Sequence, residues 1–221
     1  MRQTAIIGDV HGDAYRLQRA LNVLAPAVQQ LIFVGDYVDR GPNSKGVLDQ
    51  LVAAKEQMGE RLVLLRGNHD LELLQYLQGG DIAGFVGHGG LSTVKSYLKP
   101  PIPAEPLDHF LNTFPVEHRK ILEAMTDFVE RDGLLVSHCG YDPRNPFNRS
   151  ISALVSGSFP DIFNSDAAGR PQETVVFGHY VQRSKLPHID GGLVCVDTGC
   201  GTLKDGPLTA YILPDRTYQQ F

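Results

Sequence analysis

Tryptophan is absent from the 221-residue chain, cysteine is scarce, and no apolar run is long. The three cysteines, Cys139, Cys195 and Cys200, are odd in number and have no metal-finger spacing. That excludes a disulfide framework and points to a reduced, cytoplasmic protein. No stretch approaches the ~20 apolar residues of a membrane span. The N-terminal segment Met1–Gly8 has too short an apolar part for a signal peptide and no small-residue cleavage site, so it reads as a strand. Basic charge is not in excess: the net charge is −5 and no basic stripe is visible, which argues against nucleic-acid binding. A phosphorylated substrate stays compatible, because bound cations reverse the local sign. No domain linker is visible, and residues 1–221 are expected to form a single domain with one sizeable core.

What is present is a recurrence. Thr4–Gly8 is apolar and ends in Gly8-Asp9-Val10-His11-Gly12, after which Asp13 caps a helix carrying Leu17, Leu21 and Leu24, closed by Pro26. Leu31–Val34 ends in Gly35-Asp36-Tyr37-Val38-Asp39-Arg40-Gly41, followed by a helix with Val47, Leu48, Leu51 and Val52 on one face. Arg61–Leu65 ends in Arg66-Gly67-Asn68-His69-Asp70, followed by a helix through Leu71, Leu74 and Leu77. Strand, polar turn and helix repeated three times specify an α/β protein with parallel strands, and all three turns on one edge of a sheet. Residues 79–127 break the pattern with glycine pairs and a proline cluster. Leu107–Asn112 and Val116–Met125 read as short helices there, so the segment is a helical insertion, either over the site or peripheral. The remainder is β-rich: a hairpin over Phe128–Val136 with an Asp-Gly turn, a loop from Tyr141 to about Pro171, then strands at Thr174–Phe177, Leu193–Val196 and Leu208–Leu213.

Five apolar strands end in a residue able to bind a cation: Asp9 with His11, Asp36, Asn68, His138 and His179. Carboxylate, imidazole and amide-oxygen donors suit manganese, iron or zinc rather than a thiolate site. Six such ligands suffice for two ions, and Asp36 is the natural bridge, because cations about 3.5–4 Å apart need a shared anion. Two Asp against two dications leave the site about +2, which attracts a phosphate dianion. A water between two cations loses its proton readily and becomes a nucleophile. His69, beside Asn68, is placed to protonate a leaving oxygen, Asp39 to orient that imidazole, and Arg40 to grip phosphate oxygens in a bidentate way.

The three polar turns resemble, in order and spacing, the signature motifs of the phosphoprotein phosphatase family of calcineurin-like metallophosphoesterases. His138 and Gly178-His179 match that family's two later histidine ligands, and the resemblance runs from Ile6 to about Thr209. It implies an αββα sandwich with the 79–127 insertion after the third motif. It also implies two divalent metal ions, manganese before iron or zinc, and phosphomonoester hydrolysis with an Asp39–His69 acid dyad and an Arg40 clamp. The complete second motif, and Gly89-Gly90 with Thr93, Ser96 and Tyr97, are similar to small bacterial and phage serine/threonine phosphatases. The expected substrate is therefore a phosphorylated protein or small phosphoester. Asp70 and Asp197-Thr198-Gly199-Cys200 are similar instead to the symmetrical diadenosine tetraphosphate hydrolases, the alternative. The family's second phosphate-binding arginine lies in a tryptophan-containing segment after the His138 strand. With no tryptophan here, Arg149 is expected in that role. His88 is a candidate for the substrate cleft, Cys139 for an oxidant-sensitive thiol, and Asp197 for bracing a ligand histidine or capping its own turn.

Overall fold

A computed structural model describes residues 3–164 and 172–221. Residues 1 and 2 of the expected first strand, and 165–171 of the expected loop, lie outside the described residues. The first three apolar runs form parallel strands β1 (Thr4–Ile7), β2 (Gln30–Phe33) and β3 (Leu62–Leu64), with Ile6 opposite Ile32 and Ile32 opposite Val63. Both faces of these strands are covered, which is why their sequence is nearly all apolar. The pleat still sorts them: Ala5, Ile7, Leu31, Phe33, Leu62 and Leu64 face the helices, whereas Ile6 and Ile32 face a second sheet. β9 (Thr209–Leu213) and β10 (Thr217–Gln220) complete the first sheet in the order β10-β9-β1-β2-β3.

The second sheet contains β4 (Phe128–Arg131), β5 (Leu134–Ser137), β6 (Thr174–Phe177), β7 (His188–Asp190) and β8 (Leu193–Cys195), in the order β4-β5-β6-β8-β7. β4 and β5 pair antiparallel through Asp132-Gly133, both at positive φ, as the Asp-Gly turn requires. Val136, Val176 and Val194 meet Ile6, Ile32 and Tyr211 between the sheets. The outer face of the second sheet, Leu135, Val175, Phe177 and Cys195, is covered by Tyr141 and Ile162. The only α-helix in that stretch among the described residues is the four-residue Ile151–Leu154. The architecture is the expected αββα sandwich, thick on one side and thin on the other.

The thick side holds α1 (Ala14–Ala27), α2 (Ser44–Met58) and α3 (Asn68–Leu77). Asp13 and Asn43 cap α1 and α2, accepting from Arg16 N and Gly46 N at 2.9 Å each. Pro26 lies inside the last turn of α1 rather than after it. The free carbonyls there find a partner in Arg61, whose Nη2 donates to Ala25 O at 2.9 Å and Val28 O at 2.8 Å. The insertion contains four helices: α4 (Ile82–Gly87), α5 (Gly90–Tyr97), α6 (Pro106–Thr113) and α7 (Val116–Glu123). The first two lie in glycine-rich sequence and were not expected. Packing overrides propensity there, since Phe85 stacks on Tyr76 at 4.7 Å and Val94 is buried. No helix among the described residues is long and apolar enough to cross a membrane.

Phe110 is fully buried and packs against Tyr76, Tyr97 and Phe114. Phe110→Ala is expected to destabilise the protein by about 3–5 kcal/mol, read as a lower urea midpoint.

Candidate metal and phosphoester site

The two sheets deliver their strand ends to one place. Asp9, His11, Asp36, Asn68, His138 and His179 converge there, from the turns after β1, β2, β3, β5 and β6. Asp36 stands at the centre. Its Oδ2 lies 3.5 Å from His11 Nε2 and 3.4 Å from His138 Nε2. Asn68 Oδ1 lies 3.1 Å from His138 Nε2 and 3.0 Å from His179 Nδ1. Asp9 accepts the backbone N–H of His179 at 3.1 Å, which ties the two sheets together at the site.

The donor chemistry fits cations. His11 Nδ1 donates to Val38 O at 2.9 Å and His138 Nδ1 to Val34 O at 3.1 Å. With Nδ1 so occupied, each ring turns its Nε2 inward, the atom that carries the lone pair when the ring is a metal ligand. His11 Nε2 is buried without any hydrogen-bond partner. His138 Nε2, His179 Nδ1, Asn68 Oδ1 and Asp36 Oδ2 face one another with few protons among them. A ring proton satisfies one pair of these atoms at a time, whereas a cation between them would satisfy all of them together. Burial holds His11 down to about 3 and His179 to about 4, so both rings keep their lone pairs free for a metal. Burial and the nearby Asp197 and Asp36 push Asp9 well up. Burial would raise Asp36 too, but His138 and His69 outweigh it and hold the carboxylate ionised. Cys139 lies close to His138 and His179, yet it is no thiolate donor: burial raises its thiol, whose proton points at Val155 O, 3.2 Å away.

These turns are built on unusual backbone. His11, Asp36, Asp39, Arg40 and His179 have φ of 41°, 54°, 70°, 62° and 66°. Left-handed non-glycine residues cost roughly 1–3 kcal/mol each and persist only where surrounding contacts over-determine them. Asp70 is one such contact. Its carboxylate accepts from the backbone N–H groups of Asp36 at 2.7 Å, Tyr37 at 3.0 Å and Gly67 at 2.9 Å, joining the second and third turns. Burial beside Asp36 pushes Asp70 up to about 7 against those donors. Two glycines give the ligands room: a Cβ on Gly178 would overlap Asp9 Oδ1, and one on Gly67 would overlap Asp36 Oδ1.

Beside this cluster, His69 Nδ1 lies 2.8 Å from Asp39 Oδ2 and its Nε2 lies 2.9 Å from Arg40 Nη2. A guanidinium has only donors, so His69 Nε2 accepts and the ring proton sits on Nδ1, facing Asp39. Burial alone would lower the His69 pKa; Asp36 and Asp39 outweigh it and raise it above its ordinary value. Arg40 is exposed and also reaches Thr202 Oγ1 at 3.3 Å. His88 stands at the rim, its ring 6.1 Å from that of His69 and its Nδ1 2.9 Å from Glu72 Oε2.

Arg149 is the expected site residue that the structure does not bring in. Its guanidinium is committed to Glu130 at 2.8 Å and Glu173 at 3.4 Å. Glu173 precedes β6, at the opposite end of the strand from His179. Asp197 caps its own turn, accepting from Gly199 N at 3.0 Å, and braces none of the histidines. Asp70 and Thr93 do structural work at the site that sequence reasoning noted only as family likeness. Neither role was legible locally, because each bonds a partner more than 30 residues away.

The calcineurin-like phosphoesterase family model matches residues 3–213. A symmetrical bis(5'-nucleosyl)-tetraphosphatase of Ralstonia nicotianae is 29% identical over 220 residues, covering 95% of this chain and 73% of its own. A provisionally named serine/threonine-protein phosphatase of Caenorhabditis elegans is 36% identical over 75 residues, covering 34% of this chain and 21% of its own. A crystal structure provisionally assigned to a diadenosine tetraphosphatase superposes with a TM-score of 0.68 at 20% identity, covering 100% of this chain and 93% of its own.

The geometry around Arg149 has a direct consequence. Arg149→Ala is expected to leave inhibition by inorganic phosphate unchanged and to cost about 1 kcal/mol of stability, the upper end for surface ion pairs, because the guanidinium is half-buried. Inhibition assays and denaturant titration check both.

Proposed function

The chain belongs to the calcineurin-like phosphoesterase family, and on that footing we propose that it is a metal-dependent hydrolase cutting a phosphoanhydride of a dinucleoside polyphosphate. The observation that carries the substrate class is the extent of the likeness to the Ralstonia nicotianae tetraphosphatase, 95% of this chain against 34% for the C. elegans phosphatase. This reverses the order expected from the sequence alone, which put phosphoserine and phosphothreonine first. A phosphoprotein substrate is the second reading, supported by the higher local identity to the C. elegans enzyme and by the intact Asp39–His69 pair.

We assign Asp9, His11 and Asp36 to one cation and Asp36, Asn68, His138 and His179 to a second; this oxygen and nitrogen donor set suits manganese, iron and zinc alike, and the family resemblance puts manganese first. Bound there, the cations supply Lewis acidity toward a phosphoryl oxygen and lower the pKa of a coordinated water. The chain's own residues do the rest. Arg40 grips the phosphoryl oxygens. A phosphate that takes its guanidinium also releases His69 Nε2, the atom Arg40 occupies in this structure. Asp39 Oδ2 holds the Nδ1 proton and fixes the ring, and His69, charged, passes its Nε2 proton to the leaving oxygen.

Two measurements test this. Offered diadenosine tetraphosphate and a phosphoserine peptide side by side with manganese, the enzyme is expected to turn over the dinucleotide with the higher kcat/KM. Preference for the peptide would restore the second reading. His69→Asn is expected to lose about 10²–10⁴-fold in kcat while bound metal, measured by elemental analysis, stays at the wild-type level. Equal loss of metal would make His69 a ligand rather than an acid.

A further inference from the structure

We propose that Thr93 is a positioning residue for the proton-donating dyad, and that the helical insertion enters the chemistry through it. The inference rests on the acid role of His69 given above. Thr93 lies in α5, fully buried, and is 54 residues from Asp39 in sequence. Its hydroxyl donates to Asp39 Oδ1 at 2.6 Å, the length of a charge-assisted bond, and accepts the backbone N–H of Asp39 at 2.9 Å. One hydroxyl thus closes a ring with a single residue, donor to its carboxylate and acceptor from its amide. Ser44 Oγ lies 3.0 Å from the same hydroxyl and shares the Asp39 N–H at 3.1 Å.

Two effects follow. Asp39 sits at φ 70°, and Thr93 grips both its main chain and its side chain. With Oδ1 taken, the carboxylate presents only Oδ2 to His69 Nδ1, at 2.8 Å. The imidazole plane, and with it the direction of Nε2, is then fixed from a helix outside the three signature turns. α5 is itself held firmly. Lys45 N at the start of α2 donates to Ser96 Oγ at 3.0 Å, and Tyr97 Oη, His118 and Asp49 form a chain of 2.8 and 3.0 Å contacts back to α2. Gly89, just before α5, packs on Arg40: a Cβ there would lie 3.3 Å from Arg40 Cγ. The insertion therefore backs the proton donor and the phosphate grip together, and it is not a peripheral packing unit.

The test separates positioning from mere stability by varying the leaving group. A proton donor matters more as the departing oxygen becomes more basic. With a graded series of aryl phosphates from p-nitrophenyl to phenyl phosphate, Thr93→Val is expected to lower kcat about 10-fold or more on the most basic leaving group and far less on p-nitrophenolate. KM and metal content are expected to hold. Thr93→Ser, which keeps the hydroxyl, is expected to restore most of the rate. In a His69→Asn background the valine substitution is expected to add nothing. A loss independent of the leaving group, or one that serine does not rescue while both variants melt as wild type, overturns the inference. Should Thr93→Val fail to fold, Thr93→Ala, which also lacks the hydroxyl, is read instead: a loss of kcat that grows with the basicity of the leaving group, with KM unchanged, supports positioning, and no loss, or one independent of the leaving group, overturns it. If His69→Asn itself shows no leaving-group dependence, the acid role fails first and this inference falls with it.

Discussion

Too much negative charge in too little water is the constraint on which this structure turns. Asp9, Asp36, Asp39, Asp70 and Asp197 are all buried at the strand ends, while Arg40, the guanidinium among them, is exposed. Burying an unpaired carboxylate is costly. The protein answers in three ways. Asp39 and Asp70 are saturated with hydrogen bonds from Thr93, His69 and backbone amides. Asp9 and Asp197, and Asp70 despite its donors, are pushed toward the neutral form. Asp36 is surrounded by imidazoles. What these devices leave over is the negative field and the bare lone pairs that a pair of cations would satisfy.

The sandwich supplies the convergence. Each sheet alone would present a row of turns along one edge, spaced by the width of a strand. Packing two sheets face to face sets a second row of turns opposite the first. Asp36 and Asn68 come from one sheet, and His138 and His179 reach them from the other. The contact from His179 N to Asp9 is the point where the rows lock. The apolar layer of Ile6, Ile32, Val136, Val176 and Val194 is thus the foundation of the site as well as of the fold.

Much of this was legible in the chain. The three strand, turn and helix units, the Asp132-Gly133 hairpin and the six convergent donors can all be read from apolar runs and the residues that end them. The misses have a common cause. α4 and α5 lie where Gly84, Gly87, Gly89 and Gly90 argue against helix, and the packing of Phe85 in α4 on Tyr76 in α3 and of Tyr97 in α5 on Phe110 in α6 decides otherwise. β7 and β10 are short edge strands with little apolar character. Arg149 has the right residue type in the right loop, but its acidic partners come from β4 and the start of β6, which no local pattern announces. Thr93 and Asp70 likewise act through distant backbone amides. Residues that end a strand were readable, and so was the Asp39–His69 pair between two of the signature turns; residues whose partners or roles lie outside those turns were not.

The left-handed backbone at His11, Asp36, Asp39, Arg40 and His179 reaches beyond the site. Conformational strain and like-charge repulsion are stored in the same few turns, and a bound cation relieves the second while holding the geometry that causes the first. Anything that binds the native state and not the unfolded chain adds to its stability by mass action. Metal occupancy and folding are then two readings of one equilibrium. With the proposed cations bound, the thermal stability of this protein would follow the cation supply around it, and a chelator would act on the fold as a mild denaturant.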